Sequence, residues 1–158
     1  INRKAQNLID YVKEKESDLW MANNIREVDT WGFETDSKVY FTVNKRQNEI
    51  HIGYTFIEDK LKDTSTRFSR YRINSLKHQL TLNLVAKISD KISINPSIRY
   101  GKRSQKEGYL VFDLGAQLKV ANFTFGISGF NILNEEYTLT NLIPMPLGNA
   151  LISVNYAF

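Results

Sequence analysis

Imidazoles and paired carboxylates are where a search for chemistry begins. The chain has two histidines, His51 and His78, each inside a stretch of alternating apolar and polar residues. Both are expected on the polar side of their strands. A metal pair is conceivable there, but solvated or hydrogen-bonded imidazoles are the ordinary outcome. Glu135 and Glu136 lie beside the last long loop. Consecutive side chains on a strand point to opposite faces, so they make a poor acid–base pair. Cysteine is absent, which removes disulfides, zinc–thiolate sites and thiol nucleophiles. No Gly-rich phosphate loop and no Ser-His-Asp spacing occurs. The expectation is a protein that is not an enzyme and holds no metal or cofactor.

The remaining reactive character is charge. Lys60, Lys62, Arg67, Arg70, Arg72 and Lys77 form one basic cluster, and Lys102, Arg103 and Lys106 another, on a chain of net charge +4. Such loops attract anionic lipopolysaccharide head groups or an anionic ligand, or are simply solvated. Aromatics are not interleaved with these bases in any nucleic-acid-binding module, so no nucleic-acid partner is expected.

The elements that would carry these residues have a period of two. Ile92, Ile94, Pro96, Ile98 and Tyr100 share one face, against Ser93, Asn95, Ser97 and Arg99 on the other. Leu80, Leu82, Leu84, Ala86 and Ile88 alternate with Thr81, Asn83, Val85 and Lys87. Leu110, Phe112, Leu114, Ala116, Leu118 and Val120 alternate with Val111, Asp113, Gly115, Gln117 and Lys119. Ile152, Val154, Tyr156 and Phe158 repeat the pattern at the end. The spacing predicts an all-β fold, an antiparallel up-and-down meander of about eight strands: roughly 3–12, 22–44, 49–59, 73–88, 92–102, 108–120, 123–137 and 149–158. No useful helix, domain boundary or repeat interrupts it, so residues 1–158 read as a single β-barrel segment. The strand near 22–44 either projects into water, being polar on both faces from Asn23 to Asp29, or is split by a loop near Asp36.

The connections alternate strictly. Asn44–Asn48, Ser89–Lys91 and Ala121–Asn122 are short; Lys13–Met21, Lys60–Arg72, Arg103–Glu107 and Thr138–Gly148 are long. Consecutive antiparallel strands deliver their loops to opposite ends of a sheet, so long loops gather at one end and tight turns at the other. Outer-membrane barrels have this asymmetry. No apolar run exceeds four residues, as at Tyr109–Phe112, so no transmembrane helix fits. A barrel strand needs only about 9–11 tilted residues of alternation, which several strands supply.

Two features orient the apolar face outward. Aromatics stand near strand ends (Trp31, Phe33, Tyr54, Phe56, Tyr100, Phe123, Phe125, Tyr156 and Phe158), as interfacial girdles require. The opposite face is polar along most strands: Asn83, Lys87, Asn95, Arg99, Asp113, Gln117 and Lys119 are the expected lumen-facing residues. Leu82, Leu84, Ile94, Ile98, Leu114, Leu118, Val154 and Tyr156 are then expected to face lipid. An Arg99–Asp113 ion pair is expected directly across the hairpin centred near residue 106.

Several segments resemble the late barrel of TonB-dependent outer-membrane receptors. Asn7-Leu8-Ile9-Asp10-Tyr11-Val12, Trp20-Met21-Ala22-Asn23-Asn24-Ile25 and Thr30-Trp31-Gly32-Phe33-Glu34 are similar to that region, as is Leu76-Lys77-His78-Gln79-Leu80. Asn131-Ile132-Leu133-Asn134-Glu135-Glu136-Tyr137 resembles the family's Asn-Leu-Phe-Asn…Tyr segment. Pro144-Met145-Pro146-Leu147-Gly148-Asn149 resembles its last loop, with Asn149 near the position of a usual Arg. The resemblance marks Asn131, Asn134, Tyr137, Pro144, Pro146 and Gly148 as motif residues, and Tyr156 and Phe158 as a barrel-assembly signal read by the insertion machinery.

The resemblance implies a bacterial outer-membrane location and the C-terminal third of a larger plugged barrel. The parent would actively import a scarce ligand such as a ferric siderophore, haem or cobalamin. The implied partners are outer-membrane lipid and lipopolysaccharide, that ligand, and an energy-transducing inner-membrane complex reached only through a plug not represented here. Residues 1–10 lack the basic-then-apolar order of a signal peptide, so processing or a longer parent chain is expected. Two other readings fit the alternation: a self-contained eight-stranded outer-membrane barrel with a structural or adhesive role, and a soluble ligand-binding β-barrel.

Overall fold

The structure is a computed structural model that describes residues 1–61, 68–69, 76–104, 107–139 and 143–158. It is all-β, with no helix among the described residues. The strands are β1 (Asn2–Lys13), β2 (Met21–Val43), β3 (Arg46–Leu61), β4 (Phe68–Ser69), β5 (Leu76–Lys87), β6 (Ile92–Arg103), β7 (Tyr109–Val120), β8 (Phe123–Phe130) and β9 (Asn149–Tyr156). They form one sheet in the order β4-β1-β2-β3-β5-β6-β7-β8-β9. This is the expected antiparallel meander, with β4 added at one end. The sheet does not close on itself among the described residues.

Two boundaries differ from the sequence expectation, while the unbroken strand near 22–44 is as expected. The first short connection is a two-residue turn, Asn44-Lys45, and not a five-residue one. Both residues have positive φ (50° and 63°), the conformation a tight hairpin turn demands. The strand expected to reach residue 137 ends at Phe130. The long strand β2 runs unbroken past Asp36, so no loop splits it. Lys62, Arg67, Arg70, Arg72 and Lys106, from the expected basic loops, lie outside the described residues, as does the expected start of a strand at residue 73.

The chain divides into two compact units. One comprises Ile1–Thr35, Tyr54–Gln79 and Gly101–Gly108; the other comprises Asp36–Gly53, Leu80–Tyr100 and Tyr109–Phe158. In the first, β1 and β2 pair continuously from Asn2 opposite Trp31 to Val12 opposite Met21. Val12 and Val28 are buried, and so is Asp10. Strand β4 pairs with β1, Val12 opposite Ser69 and Lys13 opposite Phe68. The Lys13 ammonium stands 5.1 Å from the Trp20 ring centre and 5.5 Å from that of Phe68, two cation–π contacts at this corner. Gly32 is required by close approach: a Cβ there would lie 2.1 Å from Phe56 O. Around it Trp31, Phe33, Tyr54, Phe56 and His78 form one aromatic cluster, with ring centres 5.1–6.3 Å apart where they touch.

In the second unit tight turns set the register. Val120 pairs with Phe123, Leu118 with Phe125 and Ala116 with Ile127, as the two-residue turn Ala121-Asn122 predicts. Ala121 supplies the positive φ (51°) that glycine usually provides. At the β5–β6 turn the Ser89 hydroxyl accepts the N–H groups of Lys91 and Ile92. The Ile88 N–H donates to Ile92 O at 3.0 Å, which agrees with Lys87 opposite Ser93 and Asn83 opposite Ser97.

Candidate functional site

The chemistry of this chain is divided between the two faces of its strands. On β8 the polar positions Thr124, Gly126 and Ser128 are half-buried, while Phe123, Phe125 and Ile127 are 43%, 43% and 55% exposed. A water-soluble sheet sorts its residues the other way. The apolar residues form rows across three strands: Val120–Phe123–Tyr156, Leu118–Phe125–Val154 and Ala116–Ile127–Ile152, all exposed but for the half-buried Ala116. The eight residues expected to face lipid do not meet in a closed core. Leu114, Leu118, Val154 and Tyr156 are exposed, and Leu82, Leu84, Ile94 and Ile98 half-exposed.

The opposite face carries a ladder of cross-strand polar contacts in the second unit. Lys38 pairs with Glu49 at 3.7 Å and Asp36 with His51 at 2.7 Å. The Thr81 hydroxyl donates to Gly53 O at 3.5 Å, and the Ser97 hydroxyl to Asn83 Oδ1 at 2.8 Å. Arg99 reaches Asp113 at 3.2 Å. That contact is as expected, but its register is not. Lys119 N–H donates to Lys91 O, and Asn95 Cβ stands 3.6 Å from where a Gly115 Cβ would lie. Both place Gly115 opposite Asn95, and hence Val111, not Asp113, opposite Arg99. The offset of two residues keeps the same face, and the long arginine side chain reaches its partner diagonally. Of the other residues assigned to this face, Lys87, Gln117 and Lys119 are exposed and Asn95 is half-buried.

The six motif residues gather where β8 hands the chain to β9. The register would set Asn131 opposite Phe112, yet Ile132 N–H donates to Phe112 O at 2.9 Å. One extra residue is therefore accommodated, and Asn131 takes φ 48°, the geometry of a bulge. The freed Asn131 N–H donates to Asp113 Oδ1 at 2.8 Å. Its side chain, on a residue only 4% exposed, donates to Glu135 O and Pro146 O and accepts from Glu135 N–H. Asn134 (φ 57°) accepts the Gly148 N–H at 2.9 Å. A Cβ on Gly148 would stand 2.9 Å from Asn131 O, so only glycine fits without a shift. Tyr137 stacks on Tyr109 with ring centres 4.6 Å apart and accepts the Met145 N–H on its carbonyl; Pro144 bridges Thr138. This knot satisfies part-buried backbone groups. Glu135 and Glu136 belong to it and not to a strand, so the expected opposite-facing strand pair does not arise.

The assembly-signal residues are adjacent. Tyr156 stacks obliquely on Phe123 at 4.8 Å and edge-on with Phe158 at 5.3 Å, and both Tyr156 and Phe158 are exposed. The histidines are not a pair. His51 does lie on the polar face. His78 lies on the apolar face, hydrogen-bonded to the Tyr54 hydroxyl at 2.8 Å and packed on Phe56. Its sequence parity with Leu80 and Leu82 already demanded that side. Among the described residues no three His, Cys, Asp or Glu side chains are grouped to hold a metal.

Two residues in these contacts have no counterpart in the sequence reading. Asp36 acquires meaning only when β2–β3 pairing brings it to His51. Asn48, expected in a turn, is buried on β3: it donates to Arg46 O at 2.9 Å and accepts Lys87 N–H at 2.7 Å. A polar residue among Ile50, Ile52 and Tyr54 was the available signal. No family model matches the sequence, and neither curated proteins nor solved structures give a significant match.

Proposed function

We propose that this chain is barrel wall of a TonB-dependent receptor in a bacterial outer membrane, active in importing a scarce ligand such as a ferric siderophore, haem or cobalamin. The observation that supports the reading is the inverted sorting on β8, where Phe123, Phe125 and Ile127 are exposed, in rows with apolar residues of β7 and β9, while the polar positions of β8 are sheltered. Lipid is the solvent in which such rows are favourable. The convergence of Asn131, Asn134, Tyr137, Pro144, Pro146 and Gly148 on one knot supports the family resemblance. The order β4-β1-…-β9, unclosed among the described residues, favours strands of a larger barrel over a self-contained eight-stranded one, because an open sheet edge has no hydrogen-bond partner in hydrocarbon.

On this reading the polar ladder lines the lumen and braces a plug, the basic loops gather an anionic ligand, and the residues act by positioning and not by bond-making chemistry. Cell fractionation of the full-length protein tests location: recovery in the detergent-extracted outer membrane is expected, and recovery in a soluble fraction contradicts it. Growth with haem, a ferric siderophore or cobalamin as the limiting nutrient tests the import role. Deleting the gene should abolish growth on one of them, and unimpaired growth on all contradicts the role.

A further inference from the structure

The apolar face is interrupted where β3 begins. Strand β3 lies between β2 and β5, and at its start the row position falls to Asn48. This short side chain is folded back onto Arg46 O and the Lys87 N–H, so nothing fills the row between its neighbours. A groove of about 250 Å³ results, lined by Phe41 and Val43 on one side and Leu84, Ala86 and Ile88 on the other. Asn44 and Lys87 also line it. Its polar floor is hydrogen-bonded internally, so its free character is apolar.

The groove ends among cations. Arg46 donates from Nη1 to Asn44 O at 3.3 Å, which sets its guanidinium at the lip, and pairs through Nε with Asp90 at 3.1 Å. In the two adjoining turns, 44–48 and 88–91, there are three cations, Lys45, Arg46 and Lys91, against the one carboxylate of Asp90. An apolar trough beside turns of net positive charge is complementary to an acyl chain that carries a phosphate.

We infer that this groove binds one anionic phospholipid, an acyl chain between Phe41 and Leu84 and its phosphate at Arg46 and the neighbouring lysines. The inference rests on the reading that the apolar face meets lipid. A neutral or zwitterionic lipid would satisfy the trough but not the lip, so preference for anionic over zwitterionic lipid is the signature of the site.

The full-length protein is inserted into vesicles of equal phosphatidylglycerol and phosphatidylethanolamine, extracted in mild detergent, and its retained lipid identified by native mass spectrometry. Phosphatidylglycerol should be retained preferentially. Ala86→Trp, which fills the trough, should abolish retention, and Arg46→Gln should lower the preference about fivefold, the weight of one cation at a membrane surface. Equal retention of the two lipids by the native chain, or a preference unchanged in the variants, overturns the inference. Insertion is followed separately by the heat-dependent gel shift of a folded barrel. A native chain that never inserts contradicts the membrane reading itself, whereas one that inserts without lipid preference contradicts only the groove. Arg46→Gln decides alone if the Ala86→Trp chain does not insert.

Discussion

The hairpins β1–β2 and β8–β9 share an antiparallel ladder and differ in what they bury. In β1–β2, Asp10, Val12 and Val28 are buried, and an exposed apolar residue such as Ile9 stands opposite a polar one, Asn24. In β8–β9 no residue is buried, and Phe125 stands opposite Val154 and Ile127 opposite Ile152, all exposed. The ladder satisfies the backbone in either solvent, so it cannot report which one is present. The side-chain rows differ, and under the proposed function β1–β2 stands in water and β8–β9 in hydrocarbon.

The strongest way to break this comparison is at glycine. Gly32→Val should prevent folding, a loss above about 4 kcal/mol, because its Cβ would collide with backbone at Phe56. Gly115→Ala on β7 should change stability by under about 0.5 kcal/mol, since its Cβ would find only contacts of 3.6 Å or more. Urea unfolding of the folded protein in vesicles measures both, and a tolerated Gly32→Val would contradict the packing of β2 on β3.

A charge scan sharpens the contrast between solvents. Ile127→Lys should cost about 2–4 kcal/mol at mid-bilayer depth, and Ile9→Lys, at a position 76% exposed, under about 0.5 kcal/mol. Equal costs in the same assay would erase the distinction between the hairpins. Next in size is the knot. Asn131→Ala removes one acceptor and two donors from part-buried backbone partners and should cost about 1–3 kcal/mol. It should also render the chain between residues 131 and 148 sensitive to protease while β1–β2 stays protected. The smallest effect belongs to the ladder: Arg99→Gln should cost under about 1 kcal/mol, because Arg99 is 45% exposed and its pairing with Asp113 is screened by water.

How far the sequence reveals all this depends on how local the cause is. The faces of β5 to β9 follow from parity alone, and the β7–β8 register follows from a turn too short to allow another. Parity also assigns His78 to the apolar face; reading the residue by chemical type alone set it on the wrong side. The β6–β7 register is offset by two because loop length does not fix where pairing begins. Strand β8 stops early because Asn131 adopts a left-handed bulge, although apolar residues at 132 and 133 continue the expected strand. Strand β4 has two residues and no alternation to read; it exists only because β1 offers an edge. Asn48 in its groove and Asp36 beside His51 depend on neighbours distant in sequence, so only the paired sheet identifies them.

The absence of cysteine permits the most direct test of the central claim, that the apolar rows of β8 face lipid. Single cysteines are placed at positions 123 to 128 in turn, and the folded protein in vesicles is treated with a membrane-impermeant thiol reagent. The account predicts strict alternation, with positions 123, 125 and 127 unreactive and positions 124, 126 and 128 labelled from a water-filled lumen. Uniform labelling, or labelling of 123, 125 and 127 alone, would contradict it.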